Sequence, residues 1–265
     1  MKLDDAATAL AIDVAFWIEG VADPDYSVVD LGKCVYELCP KLRALGIILL
    51  LTEGNTEAFL HNLIRSGRAW RTYLVRAAAE QPDEHHYCSG RYFALLDAIA
   101  AGEFGLASEI FLASPAELRN GHEYEDDWCY GRILQWLLNT EFDAPTLVSL
   151  LERMEAYLES TFHPAIDLTR SFIDREQSDF DAAFQRLLDH RQMEIADKIK
   201  FGQLLDPIVE ANRRVNVEAL AWLRLAELHG FTTQPEYELC PSLARLPRET
   251  PLPEDSDPQM SDWLR

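Results

Sequence analysis

The stretch TEAFLHNLIRSGRAWRTYLVRAAAE, residues 56–80, decides the fold class. Its apolar residues Phe59, Leu60, Leu63, Ile64, Tyr73, Leu74 and Val75 fit the spacing of an amphipathic helix with one buried face. Gly67, near the middle, is a point where that helix can bend. Residues 52–55 before it read as a turn and residues 81–85 after it as a polar connection.

Upstream, DLGKCVYELCPKLRALGIILLL (30–51) reads as a helix, a break at Pro40 and a second, buried helix, because proline lacks an N–H and its ring crowds the preceding turn. Downstream, RYFALLDAIAAG (91–102) and EFGLASEIFLA (103–113) form a helical hairpin joined at Gly102, and Ser114-Pro115 with Glu117 opens a brief helical turn. Residues 119–122 are a loop before EYEDDWCYGRILQWLLN (123–139), where Trp128, Ile133, Leu134, Trp136, Leu137 and Leu138 demand burial. Asp143 and Pro145 start a helix striped by Leu147, Leu150, Leu151, Met154 and Leu158. Pro164 marks a new start, and residues 178–181 form the N-terminus of another helix. VNVEALAWLRLAELHGF (215–231) follows, with Gly230 as its C-terminal stop.

After Phe231 the chain carries Pro235, Pro241, Pro247, Pro251, Pro253 and Pro258, which predicts an extended segment with a loosely held end. No stretch shows convincing strand alternation. The expected architecture is all-α, an array of antiparallel helical hairpins with roughly ten helices. It divides into an N-terminal helical region (1–90), a second helical region (91–245) and a Pro-rich tail (246–265).

Composition limits the functional classes. In 265 residues there are 45 Asp and Glu against 24 Lys and Arg, a net charge of −21, split as −10 over residues 1–140 and −11 over the rest. The excess is therefore distributed along the chain. Such a field repels nucleic acid and anionic membranes and speeds encounters with a basic partner, although solubility alone is a competing account. The opening MKLDDAATALAIDVAFWIEG is interrupted by Asp4, Asp5 and Asp13 and does not read as a signal peptide. The densest apolar run, Leu45 to Leu51, is too short to span a bilayer. Cys34, Cys39, Cys88, Cys129 and Cys240 are odd in number and scattered, which predicts reduced thiols in a cytoplasmic protein.

Chemistry-bearing motifs are few. There is no phosphate-binding glycine loop, no nucleophile elbow and no paired-histidine zinc motif, so no cofactor is expected. Asp83, Glu84, His85, His86 and Cys88 are the nearest approach to a metal site, but no second matched cluster lies near them, and a surface loop is the preferred reading. Cys34 and Cys39 are read as core thiols. Arg65, Arg68, Arg71 and Arg76, interleaved with Trp70 and Tyr73, are read as internal partners for the acidic excess. The densest acidic cluster is Glu123, Glu125, Asp126 and Asp127, flanked by Tyr124, Trp128 and Tyr130. On a helix, Glu123, Asp126, Asp127 and Tyr130 share one face. Three roles compete for it: helix-terminal capping, a surface for a basic protein, and divalent-cation binding.

The combination of GEFGLASEIFLASP (102–115), EYEDDWCYGRILQWLL (123–138), VNVEALAWLRLAELHGF (215–231) and PEYELCPSLARLP (235–247) resembles the immunity protein 49 family, over about residues 90–245. In that family an acidic YEDD-like segment leads into a helix, and an NVEALA-type helix ends in Gly before a terminal P-x-L stretch. Tyr124 to Asp127 and Val215 to Gly230 match those parts. The resemblance implies an all-helical, non-enzymatic antidote encoded beside a bacterial polymorphic toxin, which it neutralises by protein–protein contact. The partner it implies is a cognate toxin domain, which the resemblance does not identify; the acidity of the chain adds the expectation of a nuclease with a basic surface, and no nucleic-acid or membrane partner is expected. A homodimer is left open. Two other classes remain in view: a helical-repeat scaffold or secretion chaperone, and a metal-dependent helical hydrolase built on residues 123–127.

Overall fold

The computed structural model describes residues 3–23, 25–159, 161–201 and 206–251. Among them lie eleven α-helices: α1 (Leu3–Val21), α2 (Val28–Glu53), α3 (Thr56–Glu80), α4 (Phe93–Ala100), α5 (Phe104–Ala113), α6 (Glu125–Trp136), α7 (Ala144–Leu158), α8 (Pro164–Asp174), α9 (Gln177–Lys200), α10 (Pro207–Asn212) and α11 (Val217–Leu228). The fold is all-α. The extended pairings among the described residues are two isolated bridges, Asn120 with Glu123 and Tyr237 with Cys240.

The helix ends follow local chemistry. Ser27 caps α2 by accepting from the Asp30 N–H, and Gly54, at φ 64°, stops it with a left-handed turn. Asn55 caps α3, Asp143 caps α7, Asp206 caps α10 and Asn216 caps α11, each through its side-chain oxygen. Gly102 and Gly230 take positive φ where α4 and α11 end.

Pro40 does not break the chain, because α2 runs through it without interruption. A proline in a helix interior costs about 3 kcal/mol. Val35, Leu38 and Leu42 flank it at no more than 1% exposure, and burying such side chains contributes about 1.5–3 kcal/mol each. In the same turn Lys41 Nζ donates to the Glu37 carbonyl at 3.1 Å. Packing against α1 and α3 outweighs the local penalty. Residues 114–117 form no helical turn; Ser114 ends α5, and the Pro115 carbonyl accepts from the Ser89 hydroxyl instead.

α2 and α3 form the long central hairpin. At Gly46 a Cβ would stand 3.1 Å from the Phe59 carbonyl oxygen, so the two helices meet there at close range. Gly67 serves the same end on the other side of α3, where a Cβ would press on Leu106 of α5, and α3 is continuous through it. α1 covers one side of α2, α4 and α5 pack on α3, α8 lies on α9, and α11 returns to seat against α4. One buried cluster joins these layers, from Ala6 on α1 to Ala244 near the end of the described chain.

The segment after Phe231 is held more firmly than its composition predicts. Ser242–Arg245 form a 3-10 turn, and Cys240 and Ala244 are fully buried. Arg245 pairs with Glu227 and donates to Thr233, while Glu57 accepts from the Glu249 N–H at 2.6 Å. Side-chain anchors replace the missing periodicity. Of the predicted tail, residues 252–265 lie outside the described residues, with Pro253 and Pro258 among them.

Within the hairpin, a buried ion pair ties three helices together. Asp97 on α4 is wholly buried; it accepts from Arg43 Nε of α2 at 2.6 Å and from the Ser66 hydroxyl of α3 at 2.6 Å. Burial pushes its pKa up, and the Arg43 charge opposes that rise. Arg43→Met, which strands the carboxylate, is expected to cost about 3–5 kcal/mol in urea unfolding. Adding Asp97→Leu should recover a large part of that loss; a double variant no more stable than the single one would contradict an ion-pair origin.

Candidate partner-binding surface

The acidic cluster lies where α6 begins; its four acids are all partly exposed, and the structure separates them by their partners. Glu123 precedes the helix, so it does not share a helical face with Asp126, Asp127 and Tyr130. The chain at 120–123 is bent into an isolated bridge and Tyr124 is extended, which starts the helix at Glu125. The Glu123 carboxylate turns inward and accepts backbone N–H groups from Gly90, at 2.6 Å, and Arg119, at 2.9 Å. Burial raises its pKa, and those two hydrogen bonds oppose the rise. Its role here is to join two loops.

Asp127 accepts from the Tyr92 hydroxyl at 3.3 Å, and burial followed by the neighbouring Asp126 charge raises its pKa. Glu125 pairs with Arg153 of α7, whose guanidinium lies 4.4 Å from the centre of the Trp128 ring. Trp128 is buried, and its indole N–H has no partner among the described residues. Tyr130 is interior as well: its hydroxyl donates to Glu218 at 2.7 Å and accepts from the Trp222 indole at 2.9 Å. Gly131 lets α6 lie directly on the loop below, since a Cβ there would overlap the Ser89 carbonyl.

Three further groups complete the region. Tyr124 is 69% exposed, Asp126 is partly exposed, and Tyr157 of α7 is 45% exposed. One carboxylate oxygen of Asp126 is nonetheless buried, with no partner among the described residues. Tyr157 stands close enough that, after burial, the charges of Asp126, Glu125 and Asp127 contribute to raising its pKa. Sequence reasoning does not single out Tyr157. The signal for it is a tyrosine lying off the apolar stripe of α7, and it points to no particular neighbour.

The loop before α4 is no surface loop. Glu84 and His86 are 7% and 4% exposed. The Glu84 carboxylate accepts from the Tyr73 hydroxyl, from the His86 N–H at 2.8 Å and from the Tyr87 N–H at 3.0 Å, and its Oε2 lies 2.6 Å from His86 Nδ1. Arg119 fastens the outside of the loop by donating to the Tyr87 carbonyl at 2.7 Å and the Pro82 carbonyl at 2.9 Å. Glu84, His85 and His86 bring ligand atoms within 4.8 Å of one another, a spacing able to hold a metal ion. A metal would have to displace hydrogen bonds that already engage both oxygens of Glu84.

The arginine cluster is engaged internally. Arg71 pairs with Glu109 at 2.8 Å, Arg76 donates to the Tyr26 carbonyl at 3.1 Å, and Arg65 and Arg68 also have partners. All five cysteines are free and buried. No helix of the described residues is long and apolar enough to cross a membrane.

The chain matches the model of the family described as Immunity protein 49 over residues 51–244. The match takes in α3, which lies ahead of residues 90–245. No curated protein and no solved structure matches the chain.

The Glu84 anchor has a pH signature. Burial pushes its carboxyl up, but the hydrogen bonds from His86 and Tyr73 outweigh that and hold it at about 2, below the usual 4.5. A depressed carboxyl pKa stabilises the fold above about pH 4.5, and this contribution disappears as the pH falls toward 2. Glu84→Gln should therefore lower unfolding free energy by about 2–3 kcal/mol at pH 7, with the difference from the parent protein shrinking below pH 4. A difference that stays constant down to pH 2.5 would show that the charge is not its source.

Proposed function

The chain belongs to the immunity protein 49 family, and from that premise we propose that it is a cytoplasmic antidote that binds a cognate secreted toxin domain with a basic surface, a nuclease being the favoured case. The observation that carries the proposed surface is Asp126, partly exposed and with one oxygen unpartnered among the described residues, whose charge reaches the exposed Tyr157. A partly exposed carboxylate near tyrosine rings suits an incoming guanidinium or ammonium, which would pair with its charge and pack on the aromatics. Glu125 and Asp127 add charge at the edge. Glu123, Trp128 and Tyr130 act from behind by holding α6 in place.

An antidote needs no chemistry of its own. Two of the four acids that could serve a hydrolase are committed elsewhere, Glu123 to backbone N–H groups and Glu125 to Arg153. A distributed charge of −21 supports fast encounter with a cationic partner.

The test uses the toxin domain encoded beside this chain. Asp126→Lys combined with Tyr124→Ala should weaken binding by about 100-fold or more, because a like charge inside an interface costs several kcal/mol and each 1.4 kcal/mol is tenfold. The melting temperature should stay near that of the parent protein. Glu123→Gln should do the reverse, lowering the melt with little change in affinity. Unchanged affinity in the double variant would place the contact surface elsewhere. Stopped-flow association should also slow as salt rises to physiological strength, where charges more than about 8 Å apart are screened. A salt-independent rate would leave the acidity with a solubility role only.

A further inference from the structure

A cavity of about 330 Å³ lies between the start of α4, Arg43 on α2, the C-terminal half of α9, α10 and the start of α11. Its charge runs against the rest of the molecule. The wall carries four cations, Arg43, Arg191, Lys198 and Arg213, against two carboxylates, Glu194 and Glu218. Three of the cations are fixed by acceptors. Arg43 is held by Asp97 and the Phe93 carbonyl, each at 2.6 Å. Arg213 is held by Glu210 at 2.6 and 2.8 Å, and Arg191 by Glu194 at 2.5 Å and Glu218 at 3.0 Å. Asp97 and Glu210 stand behind the wall, not in it.

These bonds leave donors over. A guanidinium carries five N–H groups. Arg43 and Arg213 bond through Nε and Nη2, so Nη1 of each is without a partner among the described residues. The Lys198 ammonium has no ion-pair partner among the described residues either, although acids outnumber bases nearly two to one in the chain. The remaining wall is mainly apolar, with Phe93, Leu96, Ile195, Ile208, Val209 and Val217, and its polar members are Tyr92, Asn212 and Asn216. The volume is at the lower end of the range for small-molecule sites, roughly 300–1,000 Å³.

We propose that this cavity is a binding site for a small amphipathic carboxylate, whose anionic end meets the Arg43–Lys198–Arg213 donors and whose apolar body lies along α4 and α11. The site is independent of the toxin reading. Arg191 and Glu218 are part of its wall, while the proposed partner surface is at the start of α6.

The probe is 4-phenylbutyrate, titrated calorimetrically into the full chain, with 4-phenylbutan-1-ol as its neutral counterpart. The acid should bind saturably, one molecule per chain, and the alcohol about tenfold more weakly or worse, since a charge-assisted hydrogen bond is lost. Lys198→Glu, at an exposed and unpaired position, should preserve the melting temperature and weaken the acid by a similar factor. Ile195→Trp, which fills the cavity from α9, should abolish binding. No saturable binding of the acid at millimolar concentration overturns the proposal. So does equal affinity for the alcohol, or an affinity unchanged by Lys198→Glu. Should Ile195→Trp fail to fold, the comparison of acid with alcohol and the Lys198→Glu variant still decide the matter.

Discussion

The carboxylate of Glu218 is the joint on which the second half of the molecule depends. One oxygen accepts from Tyr130 on α6 and the other from Arg191 on α9, while Glu218 itself sits in the first turn of α11. Trp222, one helical turn further on, donates to the same Tyr130 hydroxyl and stacks with its ring at an interplanar angle of 9°. A largely desolvated acid is tolerated only when its lone pairs are satisfied, and removing one partner of a buried pair typically costs about 3–5 kcal/mol. Three helices far apart in the chain are thereby held in one orientation. The proposed partner surface is at the start of one of these helices, α6, and Arg191 and Glu218 themselves line the proposed cavity.

The joint also explains the two stretches that carry the family likeness. EYEDDWCYG contributes Tyr130, and NVEALAW contributes Glu218 and Trp222. In this structure much of what those stretches do is architectural. Glu123 ties two loops, Asp127 meets Tyr92, and Asn216 caps α11. For the proposed role, rigid placement of α6 would present a fixed contact surface at little ordering cost.

The acidity of the chain is likewise divided between two roles. Glu84, Asp97, Glu123, Glu210 and Glu227 point at arginines, histidine or backbone N–H groups and act as internal fasteners. Glu210 alone holds both Arg213 and Arg214, and Glu227 docks the C-terminal segment through Arg245. The acids that stay outside set the long-range field. The proposed partner would meet a broad negative surface first and a specific contact second.

Periodicity, caps and the absence of strand alternation were enough to determine an all-α chain, the extent of α3, the starts of α7 and α8, and Gly230 at the end of α11, because each depends on residues within a turn or two. The four quoted stretches were enough to place the chain in its family. Tertiary packing decided the rest. Pro40 remains inside a helix because α1 and α3 bury its flanks. The loop around Glu84 is interior because Tyr73 and Arg119 converge on it from elsewhere. Residues 232–250 are anchored because Glu57 and Glu227 reach them. Glu123 and Asp126 are three residues apart and chemically alike, yet one is saturated by the N–H of a glycine 33 positions away and the other has an oxygen unpartnered among the described residues. Local pattern reports which face of a helix is apolar; whether a polar group meets water, a cation or another backbone is settled by distant segments that come to lie against it.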